Sequence, residues 1–249
     1  MEMEMRQRPL NRDVIKYMAM LTMTLNHIAN VFLESGTLLF EILVDIGYFT
    51  APVMIFFMTE GYDYTRSKKK YALRLLLFAV LSQVPFSLAF TGEGAIEFVA
   101  FNMLFTLLAC FGIIHIMKTK QENKNAKWWI AGLVLFTCFG DWGGLAPLLT
   151  YFFVRAENDR VQQKQAWRKA ALIFGAVNFA DGFGRLPIFL NLIHFAGCTG
   201  AVALAGYCIL YLYNGKRMNR GRNFSKWFFY LYYPLHLLIL GGCRLFIQY

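Results

Sequence analysis

Charge is scarce in this 249-residue chain. Asp, Glu, Lys and Arg make up 16% of it, where a soluble domain carries roughly a quarter, and mean hydropathy is +0.43. That is too little charge to coat a water-facing surface, so an ordinary soluble domain is excluded and a multi-pass membrane protein is implied. Proline numbers only six, and no Ser/Pro-rich or low-complexity tract interrupts the chain. Nothing marks a linker, and a single domain over residues 1–249 is expected. The five cysteines, Cys110, Cys138, Cys198, Cys208 and Cys243, are odd in number, lie in apolar runs and lack metal-ligand spacing. They read as reduced packing residues and offer neither a disulfide framework nor a metal site. A Walker loop, G-x-G-x-x-G after a strand, H-E-x-x-H and G-x-S-x-G are also missing, which removes the usual handles of ATP-driven transport, zinc proteolysis and serine hydrolysis.

What is present is apolar sequence in lengths that fit a bilayer. A crossing needs about 20 apolar residues for a core of about 30 Å, and Val14 to Leu33, Leu38 to Met58, Tyr71 to Phe90, Phe98 to Met117 and Trp227 to Ile247 each supply one. The polar start "MEMEMRQRPLNRD" leads into the first run without a small-residue cleavage site, so that run reads as a retained helix. Trp128 to Val154 is one long apolar run broken by "GDWGG". Basic residues flank it on both sides, Lys118, Lys120, Lys124 and Lys127 before, Arg155, Arg160, Lys164, Arg168 and Lys169 after. Cytoplasmic loops collect Lys and Arg, so the run goes in and comes back, as two short helices turning at Asp141 to Gly144 or as a re-entrant hairpin shielded by its neighbours. The same parity argument splits the stretch after Lys169 at "DGFGR" into helices of roughly Ala170 to Ala180 and Leu186 to Tyr213.

The expected fold is therefore an all-α, polytopic membrane helical bundle of about nine transmembrane segments, N-terminus cytoplasmic and C-terminus extracytoplasmic. In this arrangement every Lys and Arg except Arg185 and Arg244 falls on the cytoplasmic side. Topology and anionic membrane lipids account for the net charge of +10, and no nucleic acid partner is needed. No internal repeat points to an inverted-repeat transporter.

Ionisable groups inside such a bundle cost several kcal/mol unless paired or wetted, about +2.5 to +3.5 kcal/mol even on the insertion scale, so each is a candidate site. "LTMTLNHIANVF" places Thr22, Asn26 and Asn30 one above another on the first helix, with His27 at the edge of that stripe. On residues alone, His27 is either a neutral histidine hydrogen-bonded between helices or a reactive one. His236 lies near mid-membrane in the last helix, His194 in the outer half of the eighth close to Asn191, and His115 near an interface. Glu41 and Asp45, one turn apart, point the same way; they either bind a cationic acceptor or sit as water-exposed carboxylates at a helix end. Pro52 is expected to kink the second helix. Glu60 and Gly61 end it beside a basic collar, Arg66, Lys68, Lys69, Lys70 and Arg74, which suits an anionic cytosolic ligand and also follows from topology alone.

Several ordered fragments resemble the TraX family of membrane acetyltransferases, named for the protein that acetylates the N-terminus of F pilin. They are "YMAMLTMTLNHIANVF"; "TAPVMIFFMTEGYDYTRS" with Pro52, Glu60, Gly61 and Thr65; "KYALRLLLFAVLSQVPFSL" with Arg74, Ser82 and Pro85; "FNMLFTLL" with Asn102 and Thr106; "DWGG" with Asp141; and "FFYLYYPLHLLIL" with Tyr233, Pro234 and His236. Two positions depart from the family pattern: its usual Asp before the first-helix histidine is Asn26, and its usual Gly-Arg pair is Gly47-Tyr48.

The resemblance implies acetyl transfer from cytoplasmic acetyl-CoA to an amine or hydroxyl reached from the membrane or its outer face, in a multi-pass protein of the bacterial cytoplasmic membrane. The acceptor would be a protein N-terminus, as in pilin, or a surface glycan. A buried neutral histidine suits a base or an acyl carrier. The residues expected at the chemistry are His27, Asn26 and His236; at the acetyl donor, Glu60, Arg66, Arg74 and Asn102; at the acceptor, Glu41, Asp45, Asp141 and Tyr233; no metal is expected. Asn102 or Tyr232 could polarise the thioester carbonyl. The alternative is a non-catalytic bundle, a transporter or assembly factor for a small polar solute or surface polymer.

Overall fold

A computed structural model describes residues 8–92, 96–119, 123–157 and 159–248. Among them are ten α-helical segments, one π-helical turn and no strand: α1 Arg12–Phe32, α2 Leu38–Gly47, α3 Thr50–Tyr64, α4 Lys68–Phe90, α5 Met103–Thr119, α6 Ala126–Thr137, α7 Leu145–Ala156, α8 Arg160–Gly182, α9 Ile188–Tyr207 running into the π turn Cys208–Leu212, and α10 Arg222–Gln248. Four helices among the described residues, Leu38–Tyr64 (α2 with α3), Lys68–Phe90, Ile188–Leu212 and Asn223–Ile247, are long and apolar enough to cross a membrane. The chain divides into two compact units, Met1–Met54 with Asp159–Phe228, and Ile55–Asn158 with Phe229–Tyr249.

In the first unit, polar groups set the helix starts. The Asn11 side chain accepts from the Asp13 and Val14 amides, both at 3.0 Å, capping α1, and the Asp13 carboxylate accepts from the Met218 amide at 2.8 Å. Asp159 caps α8 through the Val161 and Gln162 amides. That cap explains why α8 begins ten residues before the apolar stretch expected from Ala170: hydropathy registers only the lipid-compatible part of a helix whose polar first turns are fixed by capping. The α8–α9 hairpin packs on small residues. A Cβ at Gly182 would lie 2.7 Å from Asn191 Cγ, and one at Gly206 3.0 Å from Trp167 Cβ, contacts that only glycine allows.

The second segment is interrupted as Pro52 implies, at Tyr48 and Phe49: a proline at 52 cannot donate to the Tyr48 carbonyl four residues back, and Pro52 itself sits in the first turn of α3. The break falls where α2 meets α1: a Cβ on Gly47 would sit 2.8 Å from Asn26 Cγ. Past the break, Thr50 Oγ1 donates to the Ala19 carbonyl at 2.7 Å and lies 3.0 Å from Thr22 Oγ1. α3 then runs beyond Gly61 to Tyr64, and the Lys68 ammonium donates to the Tyr62 and Thr65 carbonyls at its end, as cations at helix C-termini do.

In the second unit the helix expected from Phe98 starts only at Met103. Backbone pairing claims the preceding residues: Phe101 N donates to Phe139 O at 3.0 Å and Asp141 N to Phe101 O at 2.9 Å. The α6–α7 turn falls at Asp141 to Gly144 as expected, with Trp142 and Gly144 at φ +61° and +70°, and Thr106 Oγ1 donating to Asp141 O at 2.7 Å pins it. On α4, Leu73, Leu76, Leu77, Val80, Leu81 and Val84 are all exposed at the i, i+3, i+4 spacing of one helix face. An apolar stripe turned outward beside buried Ser82 and Asn102 is the inverse of a soluble helix and fits a lipid surface.

Candidate functional site

A buried polar cluster in the first unit assembles from two helix faces. Thr37 caps α2 by accepting from the Phe40 amide, and the helix then presents Glu41 and Asp45 one turn apart; α9 presents His194 and Cys198, also one turn apart. The faces meet. His194 Nδ1 lies 2.8 Å from Asp45 Oδ1 and 3.2 Å from Glu41 Oε2. Glu41, Asp45 and His194 are 3%, 4% and 7% exposed, so the alternative of water-exposed carboxylates is overturned: α9 covers them. Close approach is possible because residue 197 is glycine, whose Cβ would otherwise fall 2.7 Å from Asp45 Cγ. Tyr48, wedged edge-on against Phe174 at 4.7 Å, closes on His194 at a ring distance of 6.1 Å.

The charges in this cluster do not balance. The charged groups acting on Asp45 are His194 and Glu41; those acting on His194 are Asp45, Glu41 and Asp181, and Asp181 is paired with Arg185. Two buried carboxylates thus face one imidazole. Nor is the short Asp45–His194 contact an aligned hydrogen bond, since Asp45 Oδ1 and His194 Nδ1 both lack a hydrogen-bond partner with satisfactory geometry.

Asp45 also borders a cleft of about 320 Å³ between α1, α2 and α9, whose other lining includes Met18, Ile42, Phe49 and Gly200. Thr22 and Asp45 are the only polar side chains among the described residues on its walls. A pocket that is mostly apolar with a few convergent polar groups is the usual form of a small-molecule or side-chain site.

The polar stripe on α1 meets α2 and α3. Thr22 pairs with Thr50; Asn26 Nδ2 donates to the Val44 carbonyl at 3.0 Å; Asn30 Nδ2 donates to Asn26 O at 2.8 Å and to Asn26 Oδ1 at 3.1 Å. Asn26 is thereby a clamp between α1 and α2. His27 is buried at 8% exposure.

In the second unit the predicted residues fall in separate places. Arg66 is exposed and Arg74 half-buried beside the Tyr71 ring, with its guanidinium carbon 5.8 Å from the centroid; half-buried Glu60 precedes them on α3. Asn102 is not part of that collar. It packs against α4 at Ala79 and Gln83, roughly 7 to 14 Å along the helix from Arg74 at 1.5 Å per residue, and its amide is committed: Nδ2 donates to Ala79 O at 2.8 Å and Gln83 Oε1 at 2.9 Å, while Oδ1 accepts from Leu104 N at 3.0 Å. Asp141 lies within electrostatic reach of buried Tyr233. His236 Nδ1 lies 2.8 Å from the Tyr232 carbonyl; a carbonyl only accepts, so the proton is on Nδ1 and Nε2 keeps its lone pair in the neutral ring. In the last turns of α3 and α5, Lys118 holds Asp63 and, just past α7, Glu157 at 2.6 Å each, and Tyr62 Oη lies 2.7 Å from His115 Nδ1.

Sequence reasoning missed Gly197 and Cys198 and did not join His194 to Glu41 and Asp45. The i, i+4 spacings within each pair were visible; their convergence from two helices far apart in sequence was not.

No solved structure matches the chain. A curated protein of Dichelobacter nodosus, described as "Probable fimbrial assembly protein FimC, serogroup H1", is 30% identical over 243 residues, covering 94% of this chain and 96% of that protein. The family model described as "TraX protein" matches residues 11–244. Together with four helices able to span a bilayer, that match identifies a helical membrane protein, and the chain belongs to the TraX family.

Proposed function

We propose that this chain is an acetyltransferase of the bacterial cytoplasmic membrane that moves an acetyl group from acetyl-CoA to the amino group of a pilin-type protein. The supporting observation is the TraX match over nearly the whole chain in a protein whose first unit buries His27, His194, Glu41 and Asp45 and has a largely apolar cleft bordered by Asp45. In this reading nine segments cross the membrane with the N-terminus inside. Coenzyme A is too large and charged to enter lipid, so it docks at the basic cytoplasmic end of the bundle, near Glu60, Arg66 and Arg74. His27 takes the proton of the attacking amine, or carries the acetyl group between donor and acceptor; burial favours the neutral ring that either role requires. The acceptor approaches from the outer side through the cleft bordered by Thr22 and Asp45, where the Asp45 carboxyl receives a protonated N-terminus before it is deprotonated.

In the test, membranes carrying the protein are incubated with labelled acetyl-CoA and the labelled product is identified. We expect a labelled pilin-type protein, release of free coenzyme A thiol, and loss of both in His27→Ala. The relative's description as an assembly protein favours a second reading, a non-catalytic assembly factor. Under that reading, fully folded protein labels no protein, lipid or glycan, and His27→Ala still supports pilus assembly.

A further inference from the structure

We propose that the Asp45–His194–Cys198 cluster, with Glu41 beside it, binds a divalent transition metal ion, zinc in the first instance. The inference concerns what fills the acid-rich cluster and does not require acetyl transfer.

Geometry supports it first. One carboxylate oxygen of Asp45, a ring nitrogen of His194 and Cys198 Sγ lie within 4.8 Å of one another, and all three residues are buried. Ligands about 2.0 to 2.3 Å from a tetrahedral zinc ion stand roughly 3.4 to 3.7 Å apart. The 2.8 Å Asp45–His194 contact therefore has to open by about 0.6 to 0.9 Å, which parts the carboxylate oxygen from the ring nitrogen, and Cys198 has to turn away from its weak 3.4 Å bond to the Phe195 carbonyl. Side-chain rotation suffices, because each helix already presents its two donors one turn apart, as helix-bundle metal sites do.

Two independent features indicate a missing ligand. Asp45 Oδ1 and His194 Nδ1 are buried, 2.8 Å apart and without an aligned hydrogen-bond partner, a costly state that a shared ligand would relieve. The surroundings also suit a cation: two buried carboxyl groups, Glu41 and Asp45, converge on His194, and no Lys or Arg acts on Asp45. A dication held by the Asp45 carboxylate, the neutral His194 imidazole and the Cys198 thiolate, whose proton leaves on binding, offsets negative charge that would otherwise cost several kcal/mol in this setting. The donor set decides the metal class. Sulfur and imidazole with carboxylate suit zinc, whereas magnesium and calcium take oxygen ligands. Gly197 completes the cradle by letting Asp45 reach α9.

The experiment uses the full-length protein in detergent, purified in metal-free buffer and assayed for bound metal by mass spectrometry, then titrated with zinc and separately with cobalt. We expect about one zinc per chain and, with cobalt, visible bands including a thiolate-to-metal transition. Cys198→Ser should remove that transition and Asp45→Asn should weaken zinc binding at least about tenfold, while Cys208→Ser, outside the cluster, should change neither. Any variant that fails to elute as a folded monodisperse species is replaced by Glu41→Gln, which keeps the volume and should weaken zinc binding in the same direction. Absence of stoichiometric zinc or cobalt binding by folded wild-type protein overturns the inference, as does binding that Cys198→Ser and Asp45→Asn leave unchanged. Acetyl labelling is read separately: labelling without metal leaves the proposed function standing and removes the metal, and metal without labelling does the reverse.

Discussion

Asn26 gives the sharpest test of the local physics, because it stands where the family pattern that the sequence resembles has Asp. Restoring that acid should destabilise this chain. Asn26 Nδ2 donates to the Val44 carbonyl at 3.0 Å, and an ionised carboxylate has no proton to give: Asn26→Asp would set two acceptors against each other in the α1–α2 contact that Gly47 keeps tight. Losing a partly buried hydrogen bond and leaving a carbonyl facing a negative oxygen costs about 1–3 kcal/mol. For a chain of this size, 1 kcal/mol moves the melting temperature by about 2–4 °C, so a fall of about 2–12 °C is expected at pH 8. The sign with pH follows from the donor requirement. Once protonated, the introduced carboxyl can donate to Val44 as the amide does, so the deficit should shrink as pH drops toward 5. Thermal melting of detergent-solubilised protein, followed by retention of the monodisperse peak, measures both. Equal melting of variant and wild type at pH 8, or a deficit identical at pH 5 and pH 8, would refute the clamp.

Two glycines three residues apart on α9 should respond oppositely to an added methyl group. Gly197→Ala drives a Cβ into Asp45 and should cost about 1–3 kcal/mol, whereas Gly200→Ala meets nothing within 4 Å and should stay within about 0.5 kcal/mol of wild type in the same melts. Similar losses in both would show that Asp45 is not seated against α9. Outside the spanning segments, burial, reinforced by Asp63, holds the Glu157 carboxyl above its ordinary value of 4.5 against the pull of Lys118. A carboxyl that binds its proton more tightly folded than unfolded stabilises at low pH and loses that contribution as pH rises from about 4.5 through its folded value. Lys118→Met removes the cation from both carboxylates, so its melting deficit should be larger at pH 8 than at pH 4.5; a deficit independent of pH would mean the Lys118 ion pairs contribute nothing.

Much of the helix pattern was legible because it rests on local rules. Apolar run length marked α1, α4 and α10 to within about five residues, and "GDWGG" and "DGFGR" marked the turns where α6 and α8 end. Errors arose where a non-local contact overrode a local preference. Phe101 leaves the helix to pair with Phe139 and Gly140. In the candidate site, Asn102 read as a free donor but is consumed by Ala79 and Gln83, since a carboxamide's partners cannot be counted from its neighbours in sequence.

The sequence by itself determined that this is a helical membrane protein with basic loops and a few ionisable side chains in apolar helices, because transfer free energy and helical period are properties of short segments. Only the tertiary structure decided which polar groups meet. Glu41 and Asp45 are one turn apart on α2, and His194 and Cys198 one turn apart on α9, yet about 150 residues separate the pairs. Their convergence depends on α9 packing over α2 at Gly197, and no pattern within either helix encodes it. The same packing turned His194 from one of several histidines in a hydrophobic run into the centre of a buried polar cluster of its unit.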